Sequence, residues 1–272
     1  MDDNVLIIEA GRTEQQYFRD LWRYRELFLF LAWRDIIVRY KQTVFGYLWA
    51  ILRPVTTMIV FVVVFEKIAR MPSGGVPYPI LVYVALLPWQ FFSNAFSESS
   101  NSMVGNANLL TKIYFPRLIM PASTVIVALV DFFIAFMVLV VLMFSYRYAP
   151  SWHILTLPFF ILLAFLTAMG AGLYITALNV KYRDFRIVVP FVVQFGLYIS
   201  PVGFSSSVVP EHWRLLYAVN PMVGVIDGFR WAILGQPLDI SAFVFSLCVS
   251  VGLFVFGLWY FRKTEKTFAD LI

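Results

Sequence analysis

Few residues of this sequence have the types and spacing that catalysis or metal binding requires. The two histidines, His153 and His212, have no carboxylate or cysteine at ligand spacing, and the single cysteine, Cys248, cannot form a disulfide within one chain. Asp131 lies alone in a long apolar stretch, and a lone acid cannot both activate and position a nucleophile. The patterns G-x-x-x-x-G-K-[ST], G-x-S-x-G and H-E-x-x-H are absent. The sequence therefore predicts no enzyme, no metal site and no P-loop.

The composition is that of a membrane protein. Hydrophobic residues make up 61% of the chain and charged residues 14%, and the mean hydropathy is +0.79. The charged share is well below the ~25% that is usual for soluble domains. One soluble core could not bury so much apolar surface, and disordered chains are far more polar. These numbers exclude a soluble globular protein and a disordered chain, and they indicate an integral membrane protein.

Six apolar stretches are each long enough to cross the ~30 Å hydrocarbon layer as a helix. They cover residues 48–67, 78–97, 118–144, 154–179, 187–204 and 240–261. If the N-terminus is cytoplasmic, most of the 21 lysines and arginines fall on the cytoplasmic side, as is usual for membrane proteins. The exceptions are Lys67, Arg70, Arg147, Arg214 and Arg230. We therefore predict an all-α membrane fold with six spans and both termini inside. Residues 1–272 form a single domain, and its bundle covers residues 48–261.

Residues 14–41 are too charged to cross the bilayer. On a helical wheel, Trp22 and Trp33 lie on an apolar side, whereas Arg19 and Arg34 lie on the opposite side. This pattern is typical of a helix that lies in the membrane interface. We expect such a helix on the cytoplasmic surface, leading into the first span.

The longest outer connection covers residues 205–239. It contains two half-apolar pieces, 208–218 and 221–234, which are separated at Asn220 and Pro221. Each piece is too short and too polar to span a bilayer. We expect two short amphipathic helices that dip into the outer leaflet, with interfacial anchors at Trp213, Tyr217 and Trp231.

Asp131 and the aromatic residues each allow two interpretations. An ionised Asp near the middle of a bilayer costs about 2.5–3.5 kcal/mol, so Asp131 either bonds to a neighbouring helix or faces a transport path. Aromatic residues make up 18% of the chain, and most of them face lipid or pack between helices. A minority could line a conduit, together with Asp131. The candidates by position are Trp89, Phe92, Tyr174 and Tyr198.

Five segments occur in the order and places found in one known family. They are RDIIVRYKQTVFGYLWAILRP at 34–54, IYFPR at 113–117, NVKYRDF at 179–185, NPM at 220–222 and FRKTEKTFADLI at 261–272. Together they resemble the membrane subunit of ABC type-2 exporters that move bacterial polysaccharides. The resemblance runs from about residue 18 to the end of the sequence. It is closest to the O-antigen permeases, with teichoic acid and capsule permeases related.

The resemblance implies a homodimer in the bacterial inner membrane, with two separate ABC ATPase subunits on the cytoplasmic side. ATP and Mg²⁺ would bind those subunits, so this chain is expected to need no cofactor, metal or nucleic-acid partner. The short cytoplasmic connections are implied to contact the ATPase, and residues 205–239 to form an extracytoplasmic gate. The contact residues would be Lys112, Ile113, Tyr114, Phe115, Pro116 and Arg117, followed by Lys181, Tyr182, Arg183 and Asp184.

The implied substrate is a long glycan on an undecaprenyl diphosphate lipid that enters from the inner leaflet. A diphosphate calls for guanidinium or ammonium donors. Arg39, Lys41 and Arg53 lie where the interface helix leads into the first span, and they are the candidates for this head group. Their alternative role is ordinary snorkelling to lipid headgroups.

Two other classes of function remain as alternatives. A membrane enzyme that acts on lipid-linked sugars would need clustered carboxylates, which are missing. A secondary transporter would need several ionisable groups or broken helices within the membrane. Two prolines in the fifth stretch, Pro190 and Pro201, could break that helix, and they give a secondary transporter weak support.

Overall fold

The fold is described from a computed structural model, which covers residues 14–41, 48–110, 112, 115–182 and 184–268. Every regular element within these ranges is a helix, so the predicted all-α class is confirmed there. The α-helices are α1 (Glu14–Arg23), α2 (Arg25–Lys41), α3 (Leu48–Phe61), α4 (Tyr78–Gly105), α5 (Ala107–Leu110), α6 (Ile119–Ser145), α7 (Leu157–Lys181), α8 (Phe185–Ile199), α9 (Glu211–Tyr217), α10 (Pro221–Leu234) and α11 (Ile240–Thr264). A π-helix, Val62–Ile68, continues α3, and 3₁₀ turns occupy Trp152–Thr156, Ser206–Val208 and Glu265–Thr267.

Five helical stretches of the described chain are long and apolar enough to cross a membrane. They are Leu48–Ile68, Tyr78–Gly105, Ile119–Ser145, Trp152–Lys181 and Ile240–Thr267. The fifth predicted stretch, 187–204, overlaps α8, which has 15 residues. A helix of that length is ~22 Å long, shorter than the hydrocarbon layer. The polypeptide leaves the helix at Ser200, where the backbone is extended.

Helix α4 lies at the centre of the bundle. It packs against α3, α6, α7, α8 and α10, and most of its residues are buried. Its sequence is apolar on all sides along most of its length, which is the pattern of a fully enclosed helix. By contrast, α3 and α11 expose many apolar side chains, as helices in contact with lipid do.

Helices α7 and α11 are in backbone contact. An added Cβ at Gly170 would lie 2.5 Å from the Cα of Phe254, and one at Gly257 would overlap the carbonyl of Gly170. Nearby, the hydroxyl of Thr167 donates a 3.0 Å hydrogen bond to the hydroxyl of Ser250. Small residues and hydroxyl pairs of this kind are the usual means of packing helices within a membrane.

The ends of α4, α7 and α11 lie together at one end of the bundle. The hydroxyl of Thr176 in α7 donates a 2.8 Å hydrogen bond to the carbonyl of Ser99 in α4. The side chain of Arg117, just before α6, donates to the carbonyl of Glu265, whose carboxylate accepts a 3.0 Å hydrogen bond from Tyr17 in α1. We call this the tail end, and the opposite end, which holds residues 200–239, the loop end.

Residues 14–41 form two helices with a turn at Tyr24, where the sequence predicted one interface helix. Helix α2 packs along α6 and buries Leu31 and Ala32. Trp33 on the same helix stays exposed, and so does Trp22 on α1. The side chains of its last turn reach Asp131, halfway along α6. The helix therefore presents one face to α6 and keeps a second apolar face exposed.

The two pieces expected within residues 205–239 are α9 and α10. The side chain of Asn220 accepts a 3.1 Å hydrogen bond from the backbone N–H of Met222, and Pro221 is the first helical residue. Asparagine as cap and proline at the first position are ordinary helix-start signals. Unlike the predicted amphipathic helix, α10 is buried over most of its length, because it is apolar on nearly all sides and Gly228 packs directly on the ring of Phe160.

Candidate functional site

A cavity of about 730 Å³ lies between α2, α3, α4, α6 and α8. Its lining combines charged, aromatic and uncharged polar side chains. The charged ones are Arg39, Arg53 and Asp131, the aromatic ones are Tyr40, Trp49, Trp89, Phe91 and Phe132, and the polar ones include Thr56, Thr57, Gln90, Ser93, Asn94 and Gln194. The cavity thus contains two of the three predicted head-group residues, Arg39 and Arg53. It also contains two of the predicted channel residues, Trp89 and Asp131.

Arg39 is held by two carboxylates. Its Nη1 atom lies 3.2 Å from Oδ2 of Asp131, and its Nη2 atom lies 3.6 Å from Oε1 of Glu98. The hydroxyl of Tyr40 donates to the other carboxylate oxygen of Asp131. Asp131 therefore has partners on α2, and a neighbouring helix offsets the cost of placing its charge in the apolar α6.

Arg53 and Lys41 differ in their relation to the cavity. The side chain of Arg53 is exposed, borders the cavity and, within the described ranges, forms no ion pair. Lys41 is exposed at the last residue of α2 and does not border it. The structure thus brings Arg39 and Arg53 together and leaves Lys41 outside.

Trp89 is fixed in the cavity wall by α8. A Cβ atom added to Gly196 would lie 2.5 Å from Cη2 of the indole, so the ring packs on the backbone of α8. The amide side chains of Gln90, Asn94 and Gln194 border the same space. An indole face beside amide groups can pack on the C–H face of a sugar ring while hydrogen bonding its hydroxyls.

The other predicted channel residues lie elsewhere. Phe92 is buried beside Trp89, with ring centroids 5.5 Å apart, and does not border the cavity. Tyr198 is exposed on α8 and its ring lies 6.3 Å from that of Phe61. Tyr174 faces α11, where its ring lies 5.1 Å from that of Tyr260. The described part of the chain therefore does not gather the four aromatic candidates around one cavity.

The predicted ATPase contacts that the structure describes lie at the tail end, and their side chains differ in how far they are exposed. Ile113, Tyr114 and Arg183 lie outside the described residues. Lys112, Lys181 and Asp184 are exposed, and Tyr182 is 46% exposed. Phe115 is only 4% exposed, Pro116 is buried, and Arg117 is half-buried. Among the described residues of these two connections, the exposed side chains are therefore Lys112, Lys181, Tyr182 and Asp184.

A cluster of side chains joins α1, the start of α6 and the end of α11. The guanidinium of Arg262 lies 3.5 Å from the ring centroid of Tyr17 and 3.1 Å from the carboxylate of Glu265. Arg117 lies over the ring of Phe268, 5.8 Å from its centroid. Burial and the nearby Glu265 raise the pKa of Tyr17 above its usual range, so its hydroxyl stays protonated and donates. These five residues, which we call the tail cluster, hold three distant parts of the chain together.

At the loop end, Arg230 organises the segment that follows α8. Its guanidinium is buried and donates to the carbonyls of Phe204 at 2.8 Å and Val202 at 3.2 Å. The hydroxyl of Tyr78 donates to the carbonyl of Gly203 at 2.6 Å. Burial raises the pKa of Asp227, and the positive charge of Arg230 opposes that rise. This buried arginine thus satisfies carbonyl groups that no helix satisfies.

Several residues that border the cavity were not predicted as site residues: Tyr40, Trp49, Gln90, Asn94 and Gln194. Gln90 and Asn94 are four residues apart in one helix and share a face. Two amides on one face of an apolar span are a signal that the sequence does contain. For Tyr40 the sequence indicated only membership of an apolar face, since its partner is 91 residues away.

Comparison with known proteins gives one consistent family. Residues 26–234 match the family described as ABC-2 type transporter. The chain is 28% identical to the O-antigen export system permease protein RfbA of Myxococcus xanthus over 257 residues, which covers 93% of this chain and 98% of that protein. It is 26% identical to the RfbA protein of Klebsiella pneumoniae over 251 residues, covering 91% and 95%, respectively. It is 25% identical to the polysialic acid transport protein KpsM of Escherichia coli over 240 residues, covering 86% and 91%.

The family match covers most of the chain and includes all the helices that border the cavity. It confirms the family that the five sequence segments indicated. This chain is therefore an integral membrane protein of the ABC-2 type transporter family.

Proposed function

We propose that this chain is the permease subunit of an ATP-driven exporter of lipid-linked polysaccharide, with O-antigen as the cargo. The observation that carries the proposal is the cavity in which Arg39 and Arg53 lie beside Trp89 and an amide-lined wall. The names of the RfbA relatives support O-antigen as the polymer. The bacterial inner membrane is the location that this function requires.

The cavity has the chemistry for the head group of a lipid-linked glycan. Two guanidinium groups suit a diphosphate, because each can contact phosphate oxygens through parallel N–H groups. Trp89 and the amides of Gln90 and Asn94 suit the first sugar. The undecaprenyl chain would extend from the cavity into the bilayer, with the exposed apolar faces of α3 and α8 available for contact.

The arrangement that we propose has six crossings, with the tail end in the cytoplasm. The sixth crossing is α8 together with the segment after it, which Arg230 holds in place. A second copy of the chain completes the path for the polymer, and two ABC ATPase subunits dock at the tail end. ATP and Mg²⁺ bind those ATPase subunits.

Loss of the two cavity arginines tests the head-group site. We expect Arg39→Ala and Arg53→Ala each to lower export at least about tenfold, because a charge-assisted phosphate contact contributes about 1.5–3 kcal/mol. Export is measured as polysaccharide at the cell surface, and protein level is measured by immunoblot. Arg23→Ala is the matched control, since Arg23 is an exposed arginine of α1 that does not border the cavity. Normal export by both cavity variants would contradict the proposal.

A second cargo is supported by one comparison. The KpsM relative is a polysialic acid transport protein, so a capsular polymer is the alternative to O-antigen. Deleting the gene in its native host and analysing the surface polymers distinguishes the two cargoes. Loss of O-antigen with an intact capsule supports the first proposal, and the reverse result supports the second.

A photoreactive residue at position 182 tests docking of the ATPase. Because Tyr182 is exposed at the tail end, we expect it to crosslink a protein that contains a P-loop in native membranes. Position 213 is the control, since Trp213 is similarly exposed at the loop end and is expected to trap no ATPase. Mass spectrometry identifies the trapped protein. If position 182 captures lipid alone, docking at this connection is wrong.

A further inference from the structure

We propose that Asp131 is an internal counter-ion of Arg39 that competes with a lipid phosphate for the guanidinium, and that Asp131 thereby limits how tightly the cavity binds phosphate headgroups. The inference rests on the phosphate-binding function proposed for the cavity. From the sequence, Asp131 could either bond to a neighbouring helix or face a transport path. Here it does both, because the bond to Arg39 then sets which lipid the cavity binds.

Both terminal nitrogens of Arg39 are already engaged. Nη1 lies 3.2 Å from Asp131 and Nη2 lies 3.6 Å from Glu98. A phosphate that binds an arginine in the two-point manner uses N–H groups of the same guanidinium. It therefore competes with these carboxylates for the positive charge and the N–H groups of Arg39. The affinity of the site for any phosphate is reduced by the free energy of the contact that is weakened.

Asp131 is the stronger of the two competitors. Its side chain is 12% exposed, compared with 52% for Glu98, and its distance to the guanidinium is shorter. Electrostatic attraction grows as water is excluded and as the distance falls. The hydroxyl of Tyr40 donates to Asp131 and fixes the carboxylate beside Arg39. Displacing Asp131 thus costs more than displacing Glu98, which is a largely solvated partner.

This competition would keep ordinary membrane lipids out of the cavity. A phosphate diester in a phospholipid carries one negative charge and offers one phosphate group. A diphosphate offers a second phosphate, which can contact Arg53 in the same cavity while the first competes with Asp131 for Arg39. Asp131 lowers the affinity for both lipids, so the abundant and weaker one no longer fills the site. The cavity then selects the lipid diphosphate, because only this lipid still binds tightly enough to occupy the site.

The test measures lipid affinity directly. The protein is reconstituted in phosphatidylcholine nanodiscs, and phosphatidylglycerol, a phosphate diester with one negative charge, and undecaprenyl diphosphate serve as probes in native mass spectrometry. We expect Asp131→Asn to bind both probes about tenfold more tightly, since a close and largely buried negative charge is removed. Asparagine keeps an oxygen that can accept from Tyr40, so α2 stays docked on α6. Thermal unfolding of the variant checks that point.

Two further variants separate the possible results. Glu98→Gln is the matched control and should change the affinity less than about twofold, because exposed pairs contribute little. In an Arg39→Ala background, Asp131→Asn should give no gain, since the competition no longer exists. A folded Asp131→Asn protein that binds neither probe more tightly would overturn the counter-ion role alone. If Arg39→Ala and Arg53→Ala also leave diphosphate binding unchanged, the proposed head-group site itself fails.

Discussion

Replacement of Arg230 by methionine is expected to lower the free energy of unfolding by about 3–5 kcal/mol, since two carbonyl groups lose hydrogen bonds from a charged donor, each of which contributes about 1.5–3 kcal/mol. Arg230 is 2% exposed, and its guanidinium binds the carbonyls of Phe204 and Val202. Methionine fills a similar volume but donates no hydrogen bond. The carboxylate of Asp227 would also lose the positive charge that opposes the rise of its pKa, and the segment after α8 would lose its anchor.

The measurement is the temperature at which purified protein in detergent loses its monodisperse peak on size exclusion. Arg214→Met is the matched control, because Arg214 forms a partly exposed ion pair with Asp239 at 3.6 Å and one 3.2 Å hydrogen bond to the carbonyl of Val209, and should contribute about 1 kcal/mol. Adding Asp227→Asn to Arg230→Met should recover part of the loss. If the Arg230 and Arg214 variants unfold at the same temperature, the buried arginine does not hold the loop end.

The second large effect is expected from Gly257→Leu. A Cβ at Gly257 has no space beside the carbonyl of Gly170, so a larger side chain must push α7 and α11 apart. Overpacking typically costs about 1–3 kcal/mol when side chains can move, and backbone cannot move as easily. The hydrogen bond between Thr167 and Ser250 would also lengthen. We expect little folded protein to be recovered.

Gly252→Leu provides the control on the same helix. Nothing lies within 4 Å of a Cβ at Gly252, so a leucine there meets open space and replaces one helix-destabilising glycine. The yield of monodisperse protein after purification measures both variants. Equal yields for the two leucine variants would show that the contact between α7 and α11 tolerates separation.

The sequence predicted the features that depend on local composition and on neighbouring residues. The long apolar stretches become α3, α4, α6, α7 and α11. The helix start at Asn220 and Pro221 follows from an amide side chain that caps the backbone beside it and from a ring that favours the first turn. Such signals act over a few residues, so a sequence contains them completely.

The cavity depends on contacts between distant residues, and only part of it could be predicted from the sequence. Arg39 and Asp131 are 92 positions apart, and no local pattern indicates that α2 packs along α6. Trp89 borders the cavity whereas Phe92, three residues later on the same helix, does not. An aromatic side chain can face lipid, a neighbouring helix or a cavity, because all three environments accept an apolar ring.

The structure also changes how the tail end would be probed. Phe115 belongs to the IYFPR segment, and the sequence alone makes it a good anchor for a partner protein. Its side chain is instead buried as part of the hydrophobic core. The orientation of one side chain in a short connection depends on what lies beneath it, which the sequence does not show. Tyr182, in the second connection, offers an exposed aromatic ring at this end.

The tail cluster has a consequence for how the protein is made. Tyr17 leaves the ribosome 248 residues before Glu265, so α1 has no anchor on α11 throughout the insertion of the bundle. The contact between them forms only after α11 has been synthesised. A polypeptide that stops after α10 leaves α1 without this contact, and proteases act preferentially on undocked segments. The contact between α1 and the end of α11 therefore marks a molecule in which ribosomal synthesis has passed α11.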